Sequence, residues 1–172
     1  MIVKNGSTIL GKSIISQLQL PAGEISKTDG TKNASALSAS YFAGVKNASV
    51  YNLLTATSAS AQVGIVMNLG LSNTAPTLDD YWLADTDLSG VDVNTVVTCT
   101  GATVGWSATG NPIYTFLFTN TGTDDVIISE IAVSYLAGNN YGKFMLAREV
   151  LSEACTIRAN ETVTFSYELA FN

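Results

Sequence analysis

The chain has 172 residues, of which 47% are hydrophobic and only 13% charged, with a net charge of −6. That length supports one domain with a full core, and the apolar content excludes a disordered chain. No basic run is present, and no apolar stretch approaches the roughly 20 residues of a membrane-spanning helix, so neither a nucleic-acid surface nor a membrane span is expected.

Residues 1–20 offer two short strands, with a turn at Lys4-Asn5-Gly6-Ser7 and a stop at Pro21-Ala22-Gly23. The opening Met1–Gly6 is too polar for a secretory signal, so export is not expected. Thr28–Asn33 is a loop by composition. In the Ala- and Ser-rich stretch from Ala34 to Thr57, Leu37, Tyr41 and Val45 lie four apart. That spacing predicts one or two short helices, or an arm that packs on a neighbour.

The segment Gln62–Leu83 organises the rest. Val63, Ile65, Met67, Leu69 and Leu71 recur at every second position, the period of a half-buried strand. Ser72-Asn73-Thr74 then turns. Thr77 is placed to N-cap a short helix with Asp80 as its capping-box acid, and Leu78, Tyr81 and Trp82 would share one face of it. Asp85–Asp92 is a polar turn region, and from Val93 the chain reads as β to its end. Val93–Thr100 is rich in β-branched residues, and Thr109–Pro112 is a hairpin turn. Ile113–Thr119 is apolar on both faces, which predicts a central strand or one covered on both sides. Within Val126–Leu136, Ile127, Ile131, Val133 and Tyr135 share a face. A tight turn at Gly138–Asn140 leads to a strand carrying Phe144, Leu146 and Val150, and the last strand alternates Val163, Phe165, Tyr167, Leu169 and Phe171. Short strands at this spacing predict a mainly β fold: a two-sheet antiparallel sandwich of jelly-roll type, with one or two short helices in the N-terminal half. The expected organisation is a single domain, with residues 1–60 forming strands and an anchoring arm or helical segment and residues 61–172 the sandwich core.

Candidate chemistry is sparse. Histidine is absent, which removes Ser-His and Cys-His nucleophile pairs. The acidic pairs Asp79/Asp80, Asp85/Asp87 and Asp124/Asp125 fall at caps and turns, where carboxylates accept backbone hydrogen bonds. Asp85, Asp87, the Ser89-Gly90 turn and Asp92 offer clustered oxygens to calcium, but lack EF-hand spacing and its closing Glu. Cys99 and Cys155 read as small buried apolar groups or, if their strands are neighbours, a disulfide. Tyr81, Trp82, Trp106, Tyr114, Tyr135 and Tyr141 are candidates for a core, a subunit interface or a sugar platform. Arg148 lies in a strand between Leu146 and Val150 and so shares their face. It then needs a carboxylate: Glu130 or Glu168 within the fold, or one on a neighbouring subunit.

Three blocks resemble a known family. Asn68-Leu69-Gly70 with Thr74-Ala75-Pro76-Thr77 and Asp80, residues 115–135 with their Glu130-Ile131 step, and residues 144–171 with Leu146-Ala147-Arg148 occur in the order seen in small structural proteins of tailed bacteriophages. Leu71-Ser72 stands where that pattern usually has a second glycine. The resemblance implies a virion protein on head, neck or tail, and no catalytic residues. The expectation is a non-enzymatic accessory or decoration protein of capsid or tail, located in the virion. It would act as a homo-oligomer with other virion proteins as partners, without cofactor, metal, nucleic acid or membrane. Tyr81, Trp82, Trp106 and Arg148 are the candidate interface or ligand surface. The rival expectation is a carbohydrate- or receptor-binding module of a tail fibre or adhesin, with a host glycan as ligand.

Overall fold

A computed structural model of the protein describes residues 19–20, 26–32, 37–38, 64–137 and 142–169. Of the stretch Ala34–Thr57, expected to hold helices or an arm, only Leu37–Ser38 is described, and it is a strand; the rest of that stretch, the turns at Lys4–Ser7 and Gly138–Asn140, Tyr141, and the whole of Met1–Gln17 lie outside these residues.

The described chain is mainly β and its paired strands are antiparallel. Strand β1 (Gln19–Leu20) pairs with β2 (Leu37–Ser38). Strand β3 (Gly64–Gly70) follows, then a long irregular segment, 71–86. A small hairpin of β4 (Asp87–Leu88) and β5 (Val91–Asp92) comes next, with both Ser89 and Gly90 at positive φ, as a two-residue primed turn requires. A single helical turn, α1 (Val93–Val96), leads into β6 (Val97–Trp106), β7 (Pro112–Asn120), β8 (Val126–Ala137), β9 (Gly142–Ile157) and β10 (Thr162–Glu168). Two three-stranded sheets result, in the orders β3-β8-β9 and β10-β7-β6. Helix α1 overrides the β propensity of its valines. Asp92 caps it, its carboxylate accepting from Asn94 N, and Asn94 in turn binds both backbone groups of Leu69 on the edge of β3.

One hydrophobic cluster draws on both sheets. Ile65, Met67 and Leu69 of β3, Ile131, Val133 and Tyr135 of β8, and Phe144 and Leu146 of β9 join Tyr114, Phe116 and Phe118 of β7. Phe118 meets Phe165 of β10 edge to face at 5.9 Å. Strand β7 is central, as its apolar faces predict, but its outer face is open: Leu117 is 38% exposed. At the end of β7, the buried Asn120 amide donates to the carbonyls of Asp124 and Ile157 and accepts from Gly122 N, tying the β7–β8 turn to the end of β9.

Two β-bulges correct the expected faces. Register shifts between Ile128 and Glu130, where the single residue Ser129 of β8 faces four residues of β9, Leu151 to Ala154, and the core-facing side of β8 changes over: Val126 and Ile128 point into the core before the shift, Ile131 after it, and Ile127 is 56% exposed. A second shift pairs Val133 with Ala147 but Ser134 with Met145. Leu146 is the extra residue, and Leu146 and Ala147 both enter the core. Arg148 therefore does not share the face of Leu146; it lies on the opposite, outer side. Cys99 and Cys155 are free, half-buried thiols packed against the core.

Tyr114 is fully buried, and its hydroxyl has no hydrogen-bond partner among the described residues. An unsatisfied buried hydroxyl costs about 1–3 kcal/mol. Tyr114→Phe is therefore expected to raise the unfolding free energy by about 1 kcal/mol, measured by urea denaturation. A fall in stability would mean the hydroxyl is paired.

Candidate functional site

The second bulge sets up the most highly charged part of the interior. It puts Arg148 of β9 opposite Ala132 and diagonal to Glu130 of β8, on the outer face of the β3-β8-β9 sheet. Gly70 of β3 sits directly opposite Glu130. The absence of a side chain there makes room for the glutamate: a Cβ at Gly70 would lie 2.5 Å from Glu130 Cγ. Segment 71–86 then folds back across this face. Trp82 and Leu83 pack on Ala132 and Met145, and Leu71 N donates to the carbonyl of Asp85.

The guanidinium uses all three nitrogens. Nε donates to Glu130 Oε2 at 2.6 Å, Nη1 to Asp80 Oδ2 at 2.6 Å and Nη2 to the carbonyl of Thr74 at 2.8 Å. The other Glu130 oxygen accepts from Ala84 N at 3.0 Å and Asp85 N at 3.1 Å. Arg148 is 2% exposed, Glu130 fully buried and Asp80 18% exposed. Burial alone would lower the Arg148 pKa, but its hydrogen bonds to Asp80 and Glu130 outweigh it and the pKa rises. Burial would likewise raise the Asp80 pKa, yet hydrogen bonds from Thr77 and Arg148 hold it below its ordinary value. A guanidinium held charged between two carboxylates neither gives nor takes a proton at ordinary pH. Its work is mechanical: it fastens segment 71–86 to the sheet at Thr74, Asp80 and, through Glu130, at Ala84–Asp85.

The helix expected from Thr77 does not form. The capping contacts do: Asp80 accepts from Thr77 N at 2.9 Å and from Thr77 Oγ1 at 2.7 Å, but they close a single turn within an irregular segment. Leu78 is 63% exposed and Tyr81 46%, so no common apolar face is buried. Tyr81 lies against Gly30 in the loop 26–32. Trp82 is half-buried under the Lys143 ammonium, 4.9 Å from its ring centroid, and Lys143 also donates to Asn68 Oδ1. Trp106, 45% exposed, ends β6 in the other sheet. The structure thus groups Tyr81, Trp82 and Arg148 around segment 71–86 and places Trp106 on a different sheet. Glu168, the second carboxylate considered for Arg148, instead accepts from Asn111 at 2.9 Å.

The oxygens considered for calcium serve the backbone: Asp85 accepts from Asp87 N, Asp87 from Gly90 N and Asp92 from Asn94 N. No group of three or more metal-capable side chains occurs among the described residues. Sequence reasoning reached Arg148 and Glu130 but missed Asp80 as a partner. Its signal was the Thr77–Asp80 spacing, read there as a helix cap only. No family model, curated protein or solved structure matches the chain.

Gly70→Ala forces its methyl into a glutamate that three donors hold in place. It is expected to cost about 1–3 kcal/mol, whereas Gly105→Ala, with nothing within 4 Å, stays near neutral in the same denaturation assay. Asp80 supplies a pH test. Its folded-state pKa is lowered, so its stabilisation is present above the ordinary carboxylate value and is lost as pH falls through the folded-state value. Asp80→Asn is expected to remove that part of the acid-side slope of stability against pH. Asp29 and Glu168, also lowered, keep theirs. An unchanged slope would show that the Asp80 contact does not form in solution.

Proposed function

We propose that this protein is a non-enzymatic structural component of a tailed-bacteriophage virion, a compact accessory or decoration protein of capsid or tail that acts as an oligomer alongside other virion proteins. The observation that carries this reading is the convergence of the resemblance blocks. Gly70, Thr74 and Asp80 come from the first, Glu130 from the second and Arg148 from the third, and they meet in one buried cluster. Three stretches far apart in sequence thus carry the parts of a single joint. That joint holds a loop to a sheet and leaves no proton-transfer role to the residues that compose it. Motifs of this kind specify an architecture, which suits a family of structural proteins.

We further read the two three-stranded sheets as the layers of a sandwich of jelly-roll type. Supporting this, the inner residues of β3, β8 and β9 share one cluster with those of β7 and β10. Low charge and many short strands favour a protein whose surfaces are shielded by neighbours.

Sedimentation of the native protein from its source lysate on a density gradient tests the reading. The expected outcome is migration with virus-sized particles that survives a salt wash. Migration as a free species of its own chain mass would overturn the virion assignment.

A further inference from the structure

The two sheets treat their outer faces differently. Segment 71–86 covers the β3-β8-β9 sheet, while among the described residues no segment crosses the outer face of β10-β7-β6, where Leu117, Thr164 and Ser166 are exposed. Its rows follow from the register. Thr162, Thr119 and Thr98 form one, Thr164, Leu117 and Gly101 the next, and Ser166, Thr115 and Thr103 the third. Glu168, Ile113 and Gly105 close the face at one end. Three of the four rows carry no charge at all, and Glu168 is held to the side by Asn111. We propose that this face is where copies of the chain pack on one another, sheet against sheet. The inference rests on the structural, oligomeric reading above and names its contact surface.

Three properties of the face select a second copy as the occupant. The first is charge. Each copy carries −6, so copies repel except where their carboxylates stay apart, and this face keeps them away. A partner chosen by charge would find nothing here to hold. The second is hydrogen bonding. Thr119 Oγ1 lies 2.8 Å from Thr162 Oγ1 and 3.3 Å from Thr100 Oγ1, and Thr115 Oγ1 lies 3.1 Å from Ser166 Oγ. Hydroxyls already paired within the sheet lose less when water leaves, so the face can be covered without stranding polar groups. The third is Leu117, 38% exposed at the middle of the central strand, where an isologous contact places its most telling residue. The size fits repeated weak contact. Three strands about 4.8 Å apart and seven residues at about 3.4 Å each span about 14 by 24 Å. That is below the roughly 800 Å² per partner of a standard stable interface, and suits an array in which many such contacts add.

Sedimentation of the purified full chain, up to millimolar concentration, tests the proposal. Leu117→Lys and Thr164→Lys put a charge into the face, and Ile127→Lys puts one on an exposed site of the other sheet as control. Far-UV circular dichroism verifies that each variant is folded. The wild type and Ile127→Lys are expected to associate alike, with the midpoint for both face variants displaced about 30-fold to higher concentration. If all four associate equally, the face is wrong and association runs through another surface, such as a strand edge. If the wild type stays monomeric throughout, copies do not pack through this face. The particle gradient then decides the virion reading separately.

Discussion

A guanidinium taken out of water must be answered on every side, and much of this fold follows from answering Arg148. Removing an ion from water costs several kcal/mol even after relaxation, and only close, well-aligned partners offset it. Arg148, 2% exposed, finds two carboxylates and a carbonyl within 2.8 Å. One carboxylate, Glu130, is itself buried and brings its own requirement, which the backbone N–H groups of Ala84 and Asp85 meet. Glu130 also needs space, so the residue opposite it on β3 is a glycine. The path of segment 71–86 is therefore fixed by polar groups at three points, with Trp82 and Leu83 filling the apolar gaps between them.

Bulges make the arrangement possible. A regular strand would put Arg148 on the side of Leu146, inside the main core, where no carboxylate waits. One extra residue in β9, Leu146, turns it outward, and the register shift at Ser129, which faces four residues of β9, gives Glu130 the matching side. Each bulge also turns part of its strand the other way: Val126 and Ile128 enter the core at the expense of Ile127. The two irregularities act together, since a one-residue change in either strand alone would separate the charges onto opposite faces.

This explains which features were legible in the sequence. Period-two runs marked β3 and β10, because alternation directly reports a pleated strand, and an apolar run on both faces marked β7 as central. The need of Arg148 for a carboxylate was legible as chemistry, with Glu130 one of the partners considered. The faces of β8 and β9 were not, because a bulge leaves no mark in hydropathy; it simply exchanges in and out from that residue on. The missing helix at Thr77 has a similar cause. Its capping contacts are local and form as expected, but Arg148 pulls on Asp80 and on the Thr74 carbonyl, and these tertiary bonds hold the backbone in an irregular path. At α1 the balance tips the other way. Valine and threonine favour strand, yet Asn94 supplies the edge of β3 with the donor and acceptor a further strand would have offered.

The acidity of the chain is explained by the same accounting of backbone groups. Asp29 accepts from Thr31 N, Asp85 from Asp87 N, Asp87 from Gly90 N, Asp92 from Asn94 N and Glu161 from Arg158 N. Short strands joined by many turns leave many N–H groups without a ladder partner, and a carboxylate one to three residues away is an efficient acceptor for them. Negative charge therefore collects where the chain reverses. The strands of the β10-β7-β6 sheet are left, but for Glu168, to uncharged residues, so a net charge of −6 coexists with a sheet face that is almost charge-free. The composition that looked like a global property is thus the sum of local turn chemistry, and its consequence for assembly lies in where the charge is missing.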